Sequence, residues 1–383
     1  MKKYILFMAA GIAASAAMGQ TIDNRKDGGY HFTILKETKA SDVKNQNKSG
    51  TCWSFSTNSF LESEIERLGK GKVDLSEMYI VRKAYELKAI HYVRLMGKTQ
   101  LGPGGEPHDV IDMVREYGLM PQEAYPGMAN GEKINHSELD AVMKGYLDEV
   151  IKLHNGKLSN HWLAGAQGIL DAYLGKVPET FNYQGKSYNA KSFADQMGIK
   201  ADDYIELTSF THHPFYKSFA MEVPDNWSWG FTMNIPLDEL QQITENALNN
   251  GYTIEWASDV SEKGFSFKNG VAVVPFIDYE DMTAAEKDSM FKHPETEKQI
   301  SQELRQQGYD DLSTQDDHGM QLTGIAKDQS GTTYYQVKNS WGTDHNDLKG
   351  YFYCSSSYFR YKTTAILVNK NSIPKNIAKK IGF

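Results

Sequence analysis

The sequence predicts an α+β fold of two lobes, a helical half followed by a half built on an antiparallel sheet. Three observations predict it. Residues 52–118 carry apolar side chains at helical spacing in three segments separated by glycine-rich breaks. From Tyr204 onward the texture changes to short β-branched and aromatic runs bounded by turn residues. The 383 residues are 40% hydrophobic and 12% aromatic, enough for one large or two ordinary domains around a well-buried core.

The elements follow in order. "MKKYILFMAAGIAASAAMGQ" has Lys2 and Lys3, a short apolar run and small residues, the pattern of a secretory leader. Ala17 and Gly19 fit the −3 and −1 cleavage positions, so residues 1–19 are expected to be removed. That makes the mature protein exported, periplasmic or secreted, and free of the membrane, since no later stretch approaches a transmembrane length. A polar lead-in covers Thr21 to Val43. The first helix is expected from about Cys52 to Leu68, with Trp53, Phe60, Leu61, Ile65 and Leu68 on one face and "GKG" at 69–71 as its stop. A second opens at Ser76, and a third lies in "HDVIDMVREYG" after the turn "LGPGGEP". "SELDAVMKGYLDEVIKLH" and "HWLAGAQGILDAYLG" form an inserted helical pair. "YIELTSF", "YTIEWASDV", "GVAVVPF", "GMQLTGIAKD", "TTYYQVKNSW" and "TTAILVNK" are strands, interrupted by the helix "PLDELQQITENALNNG". The domain plan is therefore a leader (1–19), a helical lobe (20–127), an inserted helical segment (128–203), a β-rich lobe (204–370) and a C-terminal arm (371–383).

Charge excludes one class of partner. The formal net charge is −8, and more negative once the leader lysines are gone. Nucleic-acid binding draws on a basic face that this chain lacks.

Only two cysteines are present, Cys52 and Cys354. Cys354, in "GYFYCSSSYF", fits a strand residue facing the core. Cys52 falls in the first turn of its helix after Ser49 or Thr51, either of which can cap it. Backbone N–H groups and the helix dipole favour a thiolate there. The competing reading is a small buried hydrophobe, and position alone does not decide between them.

A cysteine nucleophile needs a base and an orienting partner. Among 11 histidines, His318 stands out in "QDDHGMQLTGIAKDQSGTTYYQVKNSWGTD", two strands joined by a turn at "DQSG". A hairpin centre between Asp328 and Gln329 places His318 opposite Asn339. A centre one residue later makes them diagonal neighbours on the same face. A three-residue loop without a bulge would put them on opposite faces. Asn339 is then placed to hold the imidazole tautomer. Gln46, six residues before Cys52, can join the Cys52 backbone N–H as an oxyanion donor. Alone, it would read as a surface-loop residue.

"Q-x5-C-W-S-F" followed downstream by "H-G" and "N-S-W-G" resembles the papain-like cysteine peptidases, and more narrowly the bleomycin hydrolase and aminopeptidase C branch. "NQNKSGTCWSF", "GPGGEPHDVIDMVREYGLMPQEAYP", "NIPLDELQQITENALNNGYTIEWASDV" and "HGMQLTGIAKDQSGTTYYQVKNSWGTDHNDLKGYFYCS" match that branch in order. The resemblance implies a papain-like two-lobed fold with the Cys helix in one lobe and His and Asn in the other. It implies Cys52 as nucleophile, His318 as general base then acid, Asn339 as orienter and Gln46 as oxyanion donor. Trp341 would shield the Asn–His bond. Gly104 and Gly105 would pair by backbone with an extended substrate, against the plainer reading of a turn. No cofactor and no metal are implied, and hexamers are usual in the family.

The arm "NKNSIPKNIAKKIGF" departs from the branch, whose C-terminal carboxylate restricts binding to peptides with a free α-amine. It looks shorter here, and a leader is unusual in that branch. The expected function is an exported cysteine peptidase acting through a thioester acyl-enzyme, most simply as an aminopeptidase. An endopeptidase or dipeptidyl-type enzyme with the same residues, and a silent peptide-binding protein, are the alternatives. His212–His213 reads as a loop pair, with no acidic or cysteine partner at ligand spacing.

Overall fold

The computed structural model describes residues 20–127, 133–152 and 157–383, so the leader at 1–19 lies outside the described residues. Three helices start the helical lobe: α1 (Cys52–Arg67), α2 (Glu77–Arg94) and α3 (Pro107–Tyr117). The Ser76 hydroxyl opens α2 by accepting the Tyr79 N–H at 3.0 Å. Pro107 opens α3, and Gly118 closes it at φ +85°. The inserted pair appears as α4 (Ser137–Lys152) and α5 (His161–Leu174), followed by α6 (Ala190–Met197). Arg82 on α2 ties the insertion down through Asp171 at 3.0 Å. All six helices share one apolar core, in which Trp53, Phe60, Ile80, Val110, Leu147, Leu170 and Phe193 are buried.

The strands are β1 (Thr21–Asp23), β2 (His31–Glu37), β3 (Phe181–Tyr183), β4 (Lys186–Tyr188), β5 (Tyr204–Thr208), β6 (Ser218–Ala220), β7 (Phe231–Asn234), β8 (Ile254–Ser258), β9 (Phe265–Ser266), β10 (Val271–Ala272), β11 (His318–Lys327), β12 (Thr333–Lys338), β13 (Tyr351–Ser355) and β14 (Thr363–Asn369). β3 and β4 form a small hairpin of their own. The large sheet runs β6-β7-β5-β14-β8-β11-β12-β13-β10-β9, antiparallel except for the β5–β7 and β10–β13 pairs. The polar lead-in supplies β1 and β2, and β2 pairs with β11. α7 (Leu237–Asn249) covers the sheet over a second core that includes Trp256, Leu322, Val337 and the fully buried Cys354. Smaller helices complete this lobe: α8 (Ala284–Ser289), α9 (Gln302–Asp310), α10 (Ser356–Lys362) and α11 (Lys375–Ala378).

The lobes meet where α1 lies along β11. That seam is polar although it is buried. Ser56 donates to Glu255 at 2.7 Å, Ser59 to Gln321 at 2.6 Å, and the Gln321 amide to Ser63 at 2.9 Å. These partnered groups fix the register of helix against sheet more tightly than apolar contact would, while the second Glu255 oxygen is left without a partner. The C-terminal arm packs away from this seam. Ile377 and Ile381 enter the second core, Lys380 reaches Glu239 on α7, and Lys370 lies over the Phe383 ring. Among the described residues, no helix is long and apolar enough to cross a membrane.

Candidate active site

Cys52 is the first residue of α1 and is partly exposed. Thr51 is the N-cap, yet neither it nor Ser49 caps the helix by side chain; the Thr51 hydroxyl donates to Ser49 Oγ at 2.8 Å instead. The Ser54 N–H is spent on the Thr51 carbonyl at 3.0 Å, and no side-chain cap takes up the Cys52 N–H, which stays available to a ligand. Across the seam, Cys52 lies against the backbone of Gly319, the residue after His318. A Cβ on Gly319 would come within 2.6 Å of Ser56 Oγ and 3.3 Å of the Trp53 Cα. Only glycine lets β11 approach the cysteine helix this closely.

His318 opens β11 and is 6% exposed. Its Nε2 lies 2.7 Å from Asn339 Oδ1. The same oxygen accepts the Ser340 N–H at 2.7 Å, which fixes the orientation of the amide. Nε2 must then be the protonated nitrogen, and Nδ1 is left to take a proton. The Trp341 ring sits 4.7 Å from the imidazole, backed edge-on by Phe265 and Phe267, and so covers the Asn–His contact.

Gln46 reaches the same place by a backbone clasp. Its N–H bonds the Ser340 carbonyl at 2.8 Å, Asn45 bridges Trp341, and the Gly342 N–H bonds Lys44. Its Oε1 accepts from the Ser340 hydroxyl at 2.6 Å, which turns Nε2 outward as a donor. Cys52, His318, Asn339, Gln46 and Trp341 are thus brought together as the sequence predicts. Ser340 was missed, although it stands inside "NSWG"; only its contact with Gln46 gives it a role.

A family profile described as Peptidase C1-like family matches residues 7–382. The chain belongs to the Peptidase C1-like family. It is 24% identical to Aminopeptidase C of Lactobacillus delbrueckii subsp. lactis, over 97% of this chain and 90% of that protein. It is 24% identical to Aminopeptidase E of Lactobacillus helveticus, over 95% and 89%. In fold it resembles the crystal structure of PepW from Lactobacillus rhamnosis HN001, with a TM-score of 0.72 at 20% identity, covering 91% of this chain and 84% of that one. The protein is a cysteine-type peptidase.

The electrostatics of this peptidase depart from expectation at the thiol. Burial pushes Cys52 up to about 12, the charges of Asp316 and Asp225 add to the rise, and the backbone N–H groups of Gly319 and Trp53 offset only part of it. The helix terminus is outweighed by burial first, with the charges of Asp316 and Asp225 adding to it. Burial also lowers His318, against the pull of Asn339 and Asp317. Both shifts favour the neutral thiol and imidazole, against the thiolate expected from position.

The two glycines separate. The Trp53 indole donates to the Pro103 carbonyl at 2.9 Å, stacking the turn 102–105 on α1. Gly105 is partly open, and a Cβ there would meet the Trp53 ring at 2.9 Å. Gly104 is buried: Lys88 Nζ holds its carbonyl, and a Cβ there would coincide with the Asp225 carboxylate. Of the two glycines expected to pair with substrate, Gly105 is the one left partly open, while Gly104 is covered.

The loop reading of His212–His213 also needs amendment. Glu222, distant in sequence spacing from a ligand motif, takes His212 Nε2 at 3.1 Å and His213 Nε2 at 2.9 Å, and all three ligand-type atoms lie within 4.8 Å of one another. One carboxylate accepting two imidazole N–H groups accounts for this arrangement as an ion pair.

Proposed function

We propose that the protein is an aminopeptidase that hydrolyses peptides through a thioester on Cys52. The observation that carries this is His318 held at 2.7 Å by Asn339 beside the Cys52 helix, with Gln46 aimed by Ser340. In this reading Cys52 Sγ attacks the substrate carbonyl while His318 Nδ1 takes the thiol proton. The oxyanion is met by Gln46 Nε2 and the Cys52 N–H. Collapse breaks the C–N bond, and His318 returns the proton to the leaving amine. Water then attacks the thioester with His318 as base, releasing the acid and the free thiol. The relatives' names support removal of N-terminal residues rather than internal cleavage.

Comparing a free-amine aminoacyl reporter with its N-acetylated twin tests the assignment, with Cys52→Ala as control. Faster cleavage of the free-amine reporter, lost in the variant, is expected. Preference for the blocked twin would move the assignment to an endopeptidase. Cleavage of neither, with Cys52 inert to an epoxide, would leave only a peptide-binding protein. We take residues 1–19 as a cleaved leader on their pattern alone, which a mature chain beginning at Gln20 would bear out. A hexamer is proposed from the family resemblance, and sedimentation of the mature chain tests it.

A further inference from the structure

An anionic neighbourhood is a poor setting for a nucleophile that must shed a proton. Cys52 nonetheless has two carboxylates, Asp225 and Asp316, close enough to act on its thiol. They come from different elements: Asp316 precedes β11, and Asp225 sits in the loop between β6 and β7, residues 221–230. Such convergence has a use if a cation is to enter.

The 221–230 loop is built to stay in place. Asn226 Nδ2 spans it by donating to the carbonyls of Met221 (3.0 Å) and Gly230 (3.1 Å), and Asn226 Oδ1 accepts the Gly230 N–H at 2.8 Å. The loop crosses from the sheet onto the helical lobe. Ser228 Oγ meets His108 Nε2 at 3.1 Å, the Lys88 ammonium lies 5.5 Å from the Trp227 ring centroid, and the Asp225 carboxylate covers the face of Gly104 and accepts from Gln100 at 3.0 Å. Asp225 itself remains partly exposed. Next along the turn, Glu106 is 1% exposed and shares a carboxyl–carboxyl hydrogen bond with Asp316. Both carboxyls are pushed up, Asp316 to about 7, foremost by burial. Among the described residues no salt-bridge partner meets this pair or the partly open Asp225, which leaves room for a hydrogen-bonding cation.

Gly105 offers its backbone to an extended peptide; one residue further, the path is closed by Asp225. An extended chain advances about 3.3 Å per residue, so a peptide lying along Gly105 meets the carboxylate over Gly104 within one or two residues. We propose that Asp225 receives the free α-ammonium of the substrate, and that the 221–230 loop ends the acyl side of the cleft at that point. This rests on the aminopeptidase reading and supplies its specificity residue. The arm ending at Phe383 packs on α7, and β14 carries it away from His318: the Thr363 end pairs with Ser258, itself paired with His318, while the Asn369 end lies roughly 20 Å further along.

The test compares wild type with Asp225→Asn, which keeps the shape and removes the charge. Reporters are aminoacyl and dipeptidyl aminocoumarins, each with a free or an acetylated N-terminus. The ratio of kcat/KM, free over acetylated, is expected to fall at least about tenfold for one of the two reporter lengths, the scale of a charge-assisted hydrogen bond. An unchanged ratio at both lengths overturns the proposal while leaving the peptidase reading intact. Failure of wild type to cleave any reporter strikes that reading instead, and a binding arm then decides Asp225. At pH 7, leucinamide should protect Cys52 from iodoacetamide and N-acetyl-leucinamide should not, the difference vanishing in Asp225→Asn. Equal protection by both overturns the proposal. Should Asp225→Asn not fold, Gly104→Ala, whose Cβ displaces the carboxylate, is expected to lower the same ratio, and an unchanged ratio counts against it.

Discussion

His318 Nε2 meets Asn339 Oδ1 at 2.7 Å because β11 holds one residue more than its partner strand. Leaving the turn, β11 and β12 pair as Lys327↔Thr333 and Ile325↔Tyr335. Extended unchanged, that register would point His318 and Asn339 to opposite faces. Between Gly324 and Leu322 it slips by one, so that Gln321 pairs with Lys338 and the two side chains share a face. Thr323 is the residue absorbed, and its hydroxyl bonds Gln336 Oε1 at 2.9 Å. Deleting Thr323 should cut kcat/KM by more than about 10³, since base and orienter part company. Asn339→Ala should cost only about 10–100-fold, because the imidazole stays and loses its tautomer lock alone. Steady-state kinetics on both variants check this; equal losses would reject the role given to the bulge.

The Gln46 side chain is aimed by a single hydroxyl, that of Ser340. Gln46→Ala removes an oxyanion donor and should lower kcat by about 10²–10³ with little change in KM, since the contact forms only in the transition state. Ser340→Ala leaves the donor present but unaimed, and a smaller fall in kcat is expected. If Ser340→Ala proves as severe as Gln46→Ala, the hydroxyl does more than orient.

Much of this site could be read in the sequence because its chemistry restricts residue type. Cys52, His318, Asn339 and Gln46 sit beside strong helix and strand signals, but the two-residue turn expected to put His318 and Asn339 on one face is not formed: the turn has the register that separates them, and the bulge restores the shared face. The bulge was not legible, because Thr323 is an ordinary strand residue and nothing local marks it as extra. β1 and β2 were read as polar lead-in, since an edge pairing with distant β11 leaves no strong apolar alternation in "HFTILKE". The high thiol pKa was hidden for a similar reason. It comes foremost from burial, with Asp316 and Asp225 adding to it, and all of these arise only once residues remote from Cys52 in the chain pack against it.

Gly319 decides how near the lobes approach. In Gly319→Ala the new Cβ meets Ser56 Oγ at 2.6 Å, Glu255 Oε1 at 3.1 Å and the Trp53 Cα at 3.3 Å. The last is backbone and cannot swing aside, so α1 must shift from β11. Activity should fall at least about 10²-fold, because sub-ångström misplacement of reacting groups is heavily penalised. Stability should fall by about 1–3 kcal/mol, the usual range for overpacking. Kinetics and urea melts on the same preparation separate the two; a stability loss without a kinetic one would place the contact outside the site.

Glu297 gives the β-lobe a pH response of its own. Burial raises its carboxyl to about 7, while Ser355 Oγ at 2.6 Å and the Val274 N–H at 2.8 Å pull the other way. Its folded value exceeds the ordinary 4.5, so the folded state holds the proton more tightly than the unfolded chain. The associated stability is complete below about pH 4.5 and is lost as pH rises through 7. Glu297→Gln cannot ionise and keeps an oxygen for both donors. It should match wild type near pH 4.5 and exceed it at pH 8.5 by about 3 kcal/mol, with a Tm a few degrees higher. Asp316, pushed up to about 7, titrates in both proteins, so its contribution cancels in the difference. Thermal melts of the two at both pH values measure it, and a gap of equal size at pH 4.5 and 8.5 would show that Glu297 is already ionised in the fold.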